Sequence, residues 1–173
     1  DNAFEPEDLY DFEKRTFNKI KKQTLFYSCE PKIDGVAVSL IYEKGKFLKA
    51  GTRGDGEQGE DITHNVKTIK QIPLMLNGKN HPDKIEIRGE IYCEKTAFDK
   101  FNKEYAKSGQ KTFANPRNFV AGSIRQLNPE IAAARPLKIQ LHSLGYVDQK
   151  NFFKSHQEML NTFLSWNLPI NPD

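Results

Sequence analysis

One stretch constrains this chain more than any other: Cys29-Glu30-Pro31-Lys32-Ile33-Asp34-Gly35, a lysine held between two carboxylates and closed by a glycine. Its flanks, Leu25 to Tyr27 and Val36 to Tyr42, are rich in apolar and β-branched residues and read as strands. Residues two apart share one face of a strand. If extended geometry continues through Pro31, then Glu30, Lys32 and Asp34 project to one side. On spacing alone two accounts stay open. The stretch is either a solvated, charge-alternating turn at a sheet edge or a lysine placed beside an anionic ligand.

The rest of the chain supplies enough elements to build around it. Pro6 to about Lys22 reads as a helix, with a first-turn proline, Glu7 and Asp8 at the positive end of the dipole, and Leu9, Phe12 and Ile20 as apolar positions. A strand at Phe26–Glu30 leads into the opening stretch. Val36–Tyr42 and Phe47–Thr52 form a hairpin around Glu43-Lys44-Gly45-Lys46, with Gly45 available for positive φ. A glycine-rich loop, Thr52-Arg53-Gly54-Asp55-Gly56-Glu57-Gln58-Gly59-Glu60-Asp61, precedes a short helix at Ile62–Val66. Lys84–Cys93 is a strand. Thr96 caps a helix that runs to Lys107, with Gly109 after its end. Asn115-Pro116 opens another helix carrying Arg117 and Arg125, whose spacing lets them border one surface two turns apart. Leu137–Tyr146 is a further strand, and Ser155-His156-Gln157-Glu158 matches a capping box before a last apolar helix. Strands and helices mix without βαβ regularity, so the fold class is α+β, with mostly antiparallel sheets flanked by helices.

Composition excludes several classes. At 173 residues with 28% charged and 11% aromatic residues, this is globular chain for one domain, not disorder. A net charge of +3 permits a phosphate-bearing partner without demanding nucleic acid. Two cysteines, Cys29 and Cys93, lack Cys-x-x-Cys spacing, so neither a zinc site nor a disulfide framework is indicated, and a reducing cytoplasm is expected. No apolar run approaches a membrane span. The first residue is not Met, and both ends read as cut from something longer.

The chemistry-bearing side chains each carry a bland alternative. A protonated lysine has no lone pair; burial or a neighbouring cation frees it, and flanking carboxylates oppose that. The glycine loop is neither a Walker loop nor a dinucleotide fingerprint. It is a plain turn, or a place where backbone approaches a ligand with Arg53 as a hydrogen-bonding fork. Arg117 and Arg125 are a solvated helix face or phosphate contacts. Glu90 is an edge-strand carboxylate or a ligand group. His142, within Leu141-His142-Ser143-Leu144, reads first as a satisfied core histidine.

Taken together, four stretches resemble one family. Glu30-Pro31-Lys32-Ile33-Asp34-Gly35 is similar to the Lys-x-Asp-Gly signature of covalent nucleotidyltransferases: DNA ligases, RNA ligases and capping enzymes. The others are Thr52-Arg53-Gly54-Asp55-Gly56 with Gly59-Glu60-Asp61-Ile62-Thr63, then Arg88-Gly89-Glu90, then Phe113 to Asn118 with Ala121 to Gln126. In this order and spacing they resemble the adenylation domain of a bacterial NAD-dependent DNA ligase, across nearly the whole chain. The resemblance implies a nucleotidyltransferase fold and a set of roles. Lys32 would attack the α-phosphorus of NAD, release nicotinamide mononucleotide and hold AMP as a phosphoramidate. AMP would pass to the 5′-phosphate of a DNA nick, which the 3′-hydroxyl then seals, in replication and repair. Glu30 would bind the adenine amino group, and Arg53 and Glu90 the ribose hydroxyls. Asp34 and Gly35 would complete the reactive-phosphate site. Arg117 and Arg125 would engage phosphates of the nicotinamide nucleotide or the nicked DNA. His142 falls where many members carry a tyrosine that stacks on adenine.

The same resemblance implies Mg²⁺ or Mn²⁺ as cofactor, with no residues assigned to it, and zinc only in regions outside residues 1–173. Partners would be NAD and nicked double-stranded DNA, with no membrane, in a monomer. The family's N-terminal nicotinamide-nucleotide-binding module and its later completing strands are expected to be missing, which leaves the chain alone poorly active. The alternatives are an ATP- or GTP-dependent ligase or capping-type relative, and a non-catalytic nucleic-acid-binding relative.

Overall fold

Val36–Glu43 (β1), Lys46–Thr52 (β2), Lys84–Tyr92 (β3) and Lys138–Val147 (β4) form one antiparallel sheet in the order β2-β1-β3-β4. The computed structural model describes residues 2–21, 24–53 and 59–171. The chain divides into two compact units, residues 1–31 and residues 32–173. The sheet belongs to the second, with Thr63–Val66 (α2), Lys95–Lys107 (α3), Pro116–Ile124 (α4), Pro129–Ala133 (α5) and His156–Ser165 (α6). The α+β, mostly antiparallel expectation is met.

Alternation decides which face is core. On β1, Val38, Leu40 and Tyr42 are buried while Ala37, Ser39 and Ile41 lie on the other face. On β3, Ile85, Ile87 and Ile91 are buried, and Glu86, Arg88 and Glu90 lie opposite. The apolar face is covered by α4, whose Phe119, Val120 and Ile124 are fully buried, and by Phe163 of α6. Phe98 and Phe101 of α3 stack against Phe119 at 5.9 and 4.8 Å. The Arg135 guanidinium lies 5.3 Å from the Phe113 ring centroid and 5.5 Å from that of Phe119. One face of the sheet is thus sealed and the other is open.

The β1–β2 hairpin turns on Lys44 and Gly45, both at positive φ (49° and 76°), as a two-residue primed turn requires. Two irregularities in the β3–β4 ladder matter more. Arg88 pairs with Ser143 and Gly89 with Leu141, so His142 is an extra residue; Gly145 is a second, between the partners of Glu86 and Ile87. Bulges of this kind re-aim side chains. Ile170 makes an isolated parallel bridge to Leu141.

Several expectations are corrected. Phe26–Glu30 is not a strand: residues 24–34 have no regular structure, and among the described residues no ladder pairs with them, since β1 already has β2 and β3 on its two sides. The ladder that would have fixed Glu30, Lys32 and Asp34 on one face is therefore absent among the described residues. Helix Pro6–Ile20 (α1) ends before Lys22, because Lys21 adopts a left-handed conformation (φ 53°) and its N–H closes on Phe17 O at 2.8 Å. Lys22 lies outside the described residues. Thr96 is inside α3, not its cap; Glu94 is the cap and makes no capping bond. Ser155 does cap α6, accepting from Glu158 N at 3.1 Å, but the Glu158 carboxylate accepts from Lys154 N at 2.8 Å rather than from the cap itself. The short helix α5 was not foreseen, although Asn128-Pro129 repeats the Asn115-Pro116 signal that opens α4.

Candidate active site

Gly35 is where the motif meets the sheet. Its backbone N–H donates to Glu90 Oε1 at 3.2 Å, and a Cβ there would lie 2.0 Å from Ile91 O. Only glycine fits that approach. The contact seats Lys32 and Asp34 beside β3. Asp34 accepts from Arg117 Nη1 at 3.3 Å, in a pair whose side chains are both exposed. Arg117 is there because Asn115 caps α4, its side chain accepting from Asn118 N at 2.8 Å, with Pro116 in the first turn. Lys32 is exposed.

The half-buried Glu90 is the hub of this end. Burial pushes its carboxyl above the usual range, and the Gly35 N–H with the charges of Arg117, His142 and Lys32 only partly offsets that. Gly35 thus bonds Glu90 directly, and the charges of Arg117, His142 and Lys32 lie near enough to act on it. Glu30 falls in the first unit, where its carboxylate accepts from Ser28 Oγ at 3.2 Å.

Beside this hub the open sheet face forms a cleft of about 700 Å³, whose lining includes Arg53, Glu60, Asp61, Glu86, Arg88 and His142. His142 alternates with the buried Ile139 and Leu141 and is exposed, which overturns the core-histidine reading. Arg53 enters from the end of β2. Gly54 and Gly56 of the glycine loop lie outside the described residues, but the loop's stem is pinned: Thr52 N donates to Glu60 O at 3.0 Å, and Glu60 N to Thr52 Oγ1 at 3.0 Å. Arg125, at the C-terminus of α4, reaches this rim through Nε to Glu60 Oε2 at 2.5 Å.

Sequence reasoning assigned no role to Glu86, Arg88 or Glu60. Glu86 accepts from Ser39 Oγ at 2.8 Å and from Arg88 Nε at 2.9 Å, fixing a guanidinium on the cleft floor. Burial raises the Glu86 carboxyl, yet the two hydrogen bonds and the Arg88 charge outweigh it and hold the group low. Period-two alternation from Glu90 would have found both. Cys93 is buried, its thiol pushed up to about 11 by burial and by Glu94, so it is no nucleophile. Among the described residues no group of three or more His, Cys, Asp and Glu is placed to hold a metal, so they offer no ready cage for the expected Mg²⁺ or Mn²⁺. No helix among them is long and apolar enough to cross a membrane.

A lysine-bearing loop seated on an open sheet face, ringed by arginines and a carboxylate, defines a nucleotidyltransferase-type domain. The model of the NAD-dependent DNA ligase adenylation domain matches residues 1–173, and the chain belongs to that family. It is 49% identical over 174 residues to a DNA ligase of Hahella chejuensis, an alignment covering 99% of this chain and 25% of the relative. Against a DNA ligase of Coxiella burnetii the identity is 47% over 171 residues, covering 98% and 26%. Against one of Methylococcus capsulatus it is 43% over 173 residues, covering 100% and 26%. The chain spans about a quarter of the length of these curated relatives.

Proposed function

We propose that this chain is the adenylyl-accepting part of an NAD-dependent DNA ligase. The observation that carries the reading is the convergence of Lys32, Gly35, Arg117 and His142 on the half-buried Glu90, at the edge of a cleft rimmed by Arg53. The neutral Lys32 Nζ attacks the α-phosphorus of NAD. A P–N bond forms, the P–O bond to the bridging oxygen breaks, nicotinamide mononucleotide leaves, and the amine gives its proton to solvent. Arg117 and Arg125 supply positive charge for the phosphates, and Asp34 orients Arg117. Glu90 and Arg53 hold the ribose hydroxyls, His142 stacks on adenine, and Glu30 meets the adenine amino group. The adenylyl group then passes to the 5′-phosphate of a nick, and the 3′-hydroxyl displaces AMP to seal the strand. On this reading the parent enzyme works as a monomer in the cytoplasm, in replication and repair, with Mg²⁺ or Mn²⁺.

The test is intact-mass spectrometry of the full-length protein that carries this chain, incubated with NAD or with ATP. One AMP is expected on Lys32 from NAD and none from ATP. Adduct that persists in Lys32→Ala overturns the assignment of the nucleophile. Residues 1–173 alone are expected to label poorly, and efficient labelling would show that they hold the complete adenylylation machinery.

A further inference from the structure

Arg125 is gripped twice, and the second grip belongs to a residue with no assigned role. Asn65 sits on α2, only 6% exposed. Its Nδ2 donates to Ile124 O at 2.7 Å and to Gln126 O at 2.8 Å, the carbonyls on either side of Arg125. Ile124 O is among the acceptors a helix C-terminus leaves without intrahelical partners, and Gln126 O lies just past the C-cap. Asn65 thus caps α4 from another element. Its Oδ1 is buried with no hydrogen-bond partner. Turning the amide over would point that oxygen at two carbonyls, so the donor pair fixes its orientation.

The other grip comes from the same short stretch. Glu60 takes Arg125 Nε, and five residues on Asn65 takes the backbone. That stretch is anchored on β2: Glu60 bonds both ways with Thr52, Asp61 accepts from Thr63 N at 2.9 Å, and Thr63 Oγ1 accepts from Ala50 N at 2.9 Å. A guanidinium with one N–H committed to Glu60 keeps its remaining N–H groups for an anionic ligand. We infer that Asn65 is a positioning residue for Arg125, clamping the backbone on both sides so that the guanidinium is presented to a phosphate at the rim of the cleft. This rests on the reading of Arg125 as a phosphate contact.

A double-mutant cycle in the full-length protein tests it, with two rates measured: AMP transfer from NAD to Lys32, and sealing of a nicked duplex by protein already carrying AMP. Arg125→Ala is expected to slow at least one step. Asn65→Leu, of nearly the same size, should slow the same step by roughly tenfold or more, as loss of two buried hydrogen bonds implies. Added to Arg125→Ala, it should cost less than about twofold further, since residues acting as a unit are not additive. Asn65→Asp should be impaired at pH 8 and recover relative to the parent protein towards pH 6, because a buried carboxyl titrates high and regains one O–H donor when protonated. A merely structural role gives full additivity with Arg125→Ala, which overturns the inference. Should Asn65→Leu fail to fold, the pH arm decides through Arg125: acid recovery of Asn65→Asp in the affected step should vanish in the Arg125→Ala background, and recovery that persists there overturns the inference. If Arg125→Ala leaves both steps intact while Lys32 still labels, the phosphate role of Arg125 falls and the inference with it, but the adenylyl-transfer reading stands.

Discussion

The two faces of the sheet are made by the same strands and obey different rules. On the sealed face, Leu40, Tyr42, Ile85, Ile87 and Ile91 pack against Phe119, Val120 and Ile124 with almost no residual exposure. On the open face, residues one position along each strand are Ser39, Glu86, Arg88, Glu90 and His142. Those polar groups satisfy one another in pairs and small clusters and leave a cleft. The first face holds the domain together by dense apolar packing. The second contributes little to stability and is free to carry chemistry.

That contrast makes its strongest claim at Phe119, which is 0% exposed and touches three other aromatic rings. Phe119→Ala should destabilise the domain by about 3–5 kcal/mol in urea unfolding. Arg88→Ala on the open face should shift it by no more than about 1 kcal/mol, since the Arg88–Glu86 pair joins an exposed guanidinium to a half-buried carboxylate and such partly solvated pairs are weak. Equal costs at the two positions would break the comparison. Gly35→Ala tests the seam between the faces. Its methyl collides with the Ile91 carbonyl, so it should cost about 1–3 kcal/mol and displace the Gly35–Glu90 contact as well. Unlike the other two it should lower both stability and AMP transfer. A smaller loss, about 1 kcal/mol, is expected for Asn115→Ala, which removes the cap that sets Arg117 at the start of α4. Thermal unfolding and Lys32 labelling, read together, sort these variants.

Much of this was legible from residue order. Apolar, β-branched runs and the hairpin signal between them placed β1, β2 and β3 to within a residue or two, and Asn-Pro placed the start of α4. The motifs named most of the side chains that converge on Glu90. What stayed hidden were features set by tertiary pairing. A bulge is invisible in sequence because the extra residue is defined only by its partner strand, whereas the open-face position of His142 follows from plain alternation with Ile139 and Leu141 and could have been read. The segment before Lys32 has strand-like composition but, among the described residues, no pairing neighbour, and without a ladder the propensity has nothing to act on. Glu60 and Asn65 carried no assigned role. Their roles depend on Arg125 and on carbonyls about sixty residues away, as the separations of 65, 59 and 61 residues show.

The smallest effect separates two carboxylates on the open face itself. Glu86 and Glu90 lie four residues apart on one side of β3, yet their surroundings push them in opposite directions. Burial raises both; at Glu86 the hydrogen bonds from Arg88 and Ser39 prevail and the folded-state pKa is depressed, while at Glu90 burial prevails and it is raised. The signs follow from linkage. A depressed carboxyl stabilises the fold above its unfolded-state pKa, and that contribution is lost as pH falls through the folded-state value. A raised carboxyl works the other way: the fold tolerates its protonated form, and stability falls as pH rises from the unfolded-state value through the folded one. Glu86→Gln should therefore flatten the loss of stability on acidification, and Glu90→Gln should remove a loss that sets in on raising the pH above the ordinary carboxylate range. Unfolding free energies across that range, for the two variants beside the parent chain, should diverge in opposite senses. If both variants bend the profile the same way, the two carboxylates share one environment, and the division of the open face into a self-satisfied pair at Glu86 and an ionisation-averse hub at Glu90 is wrong.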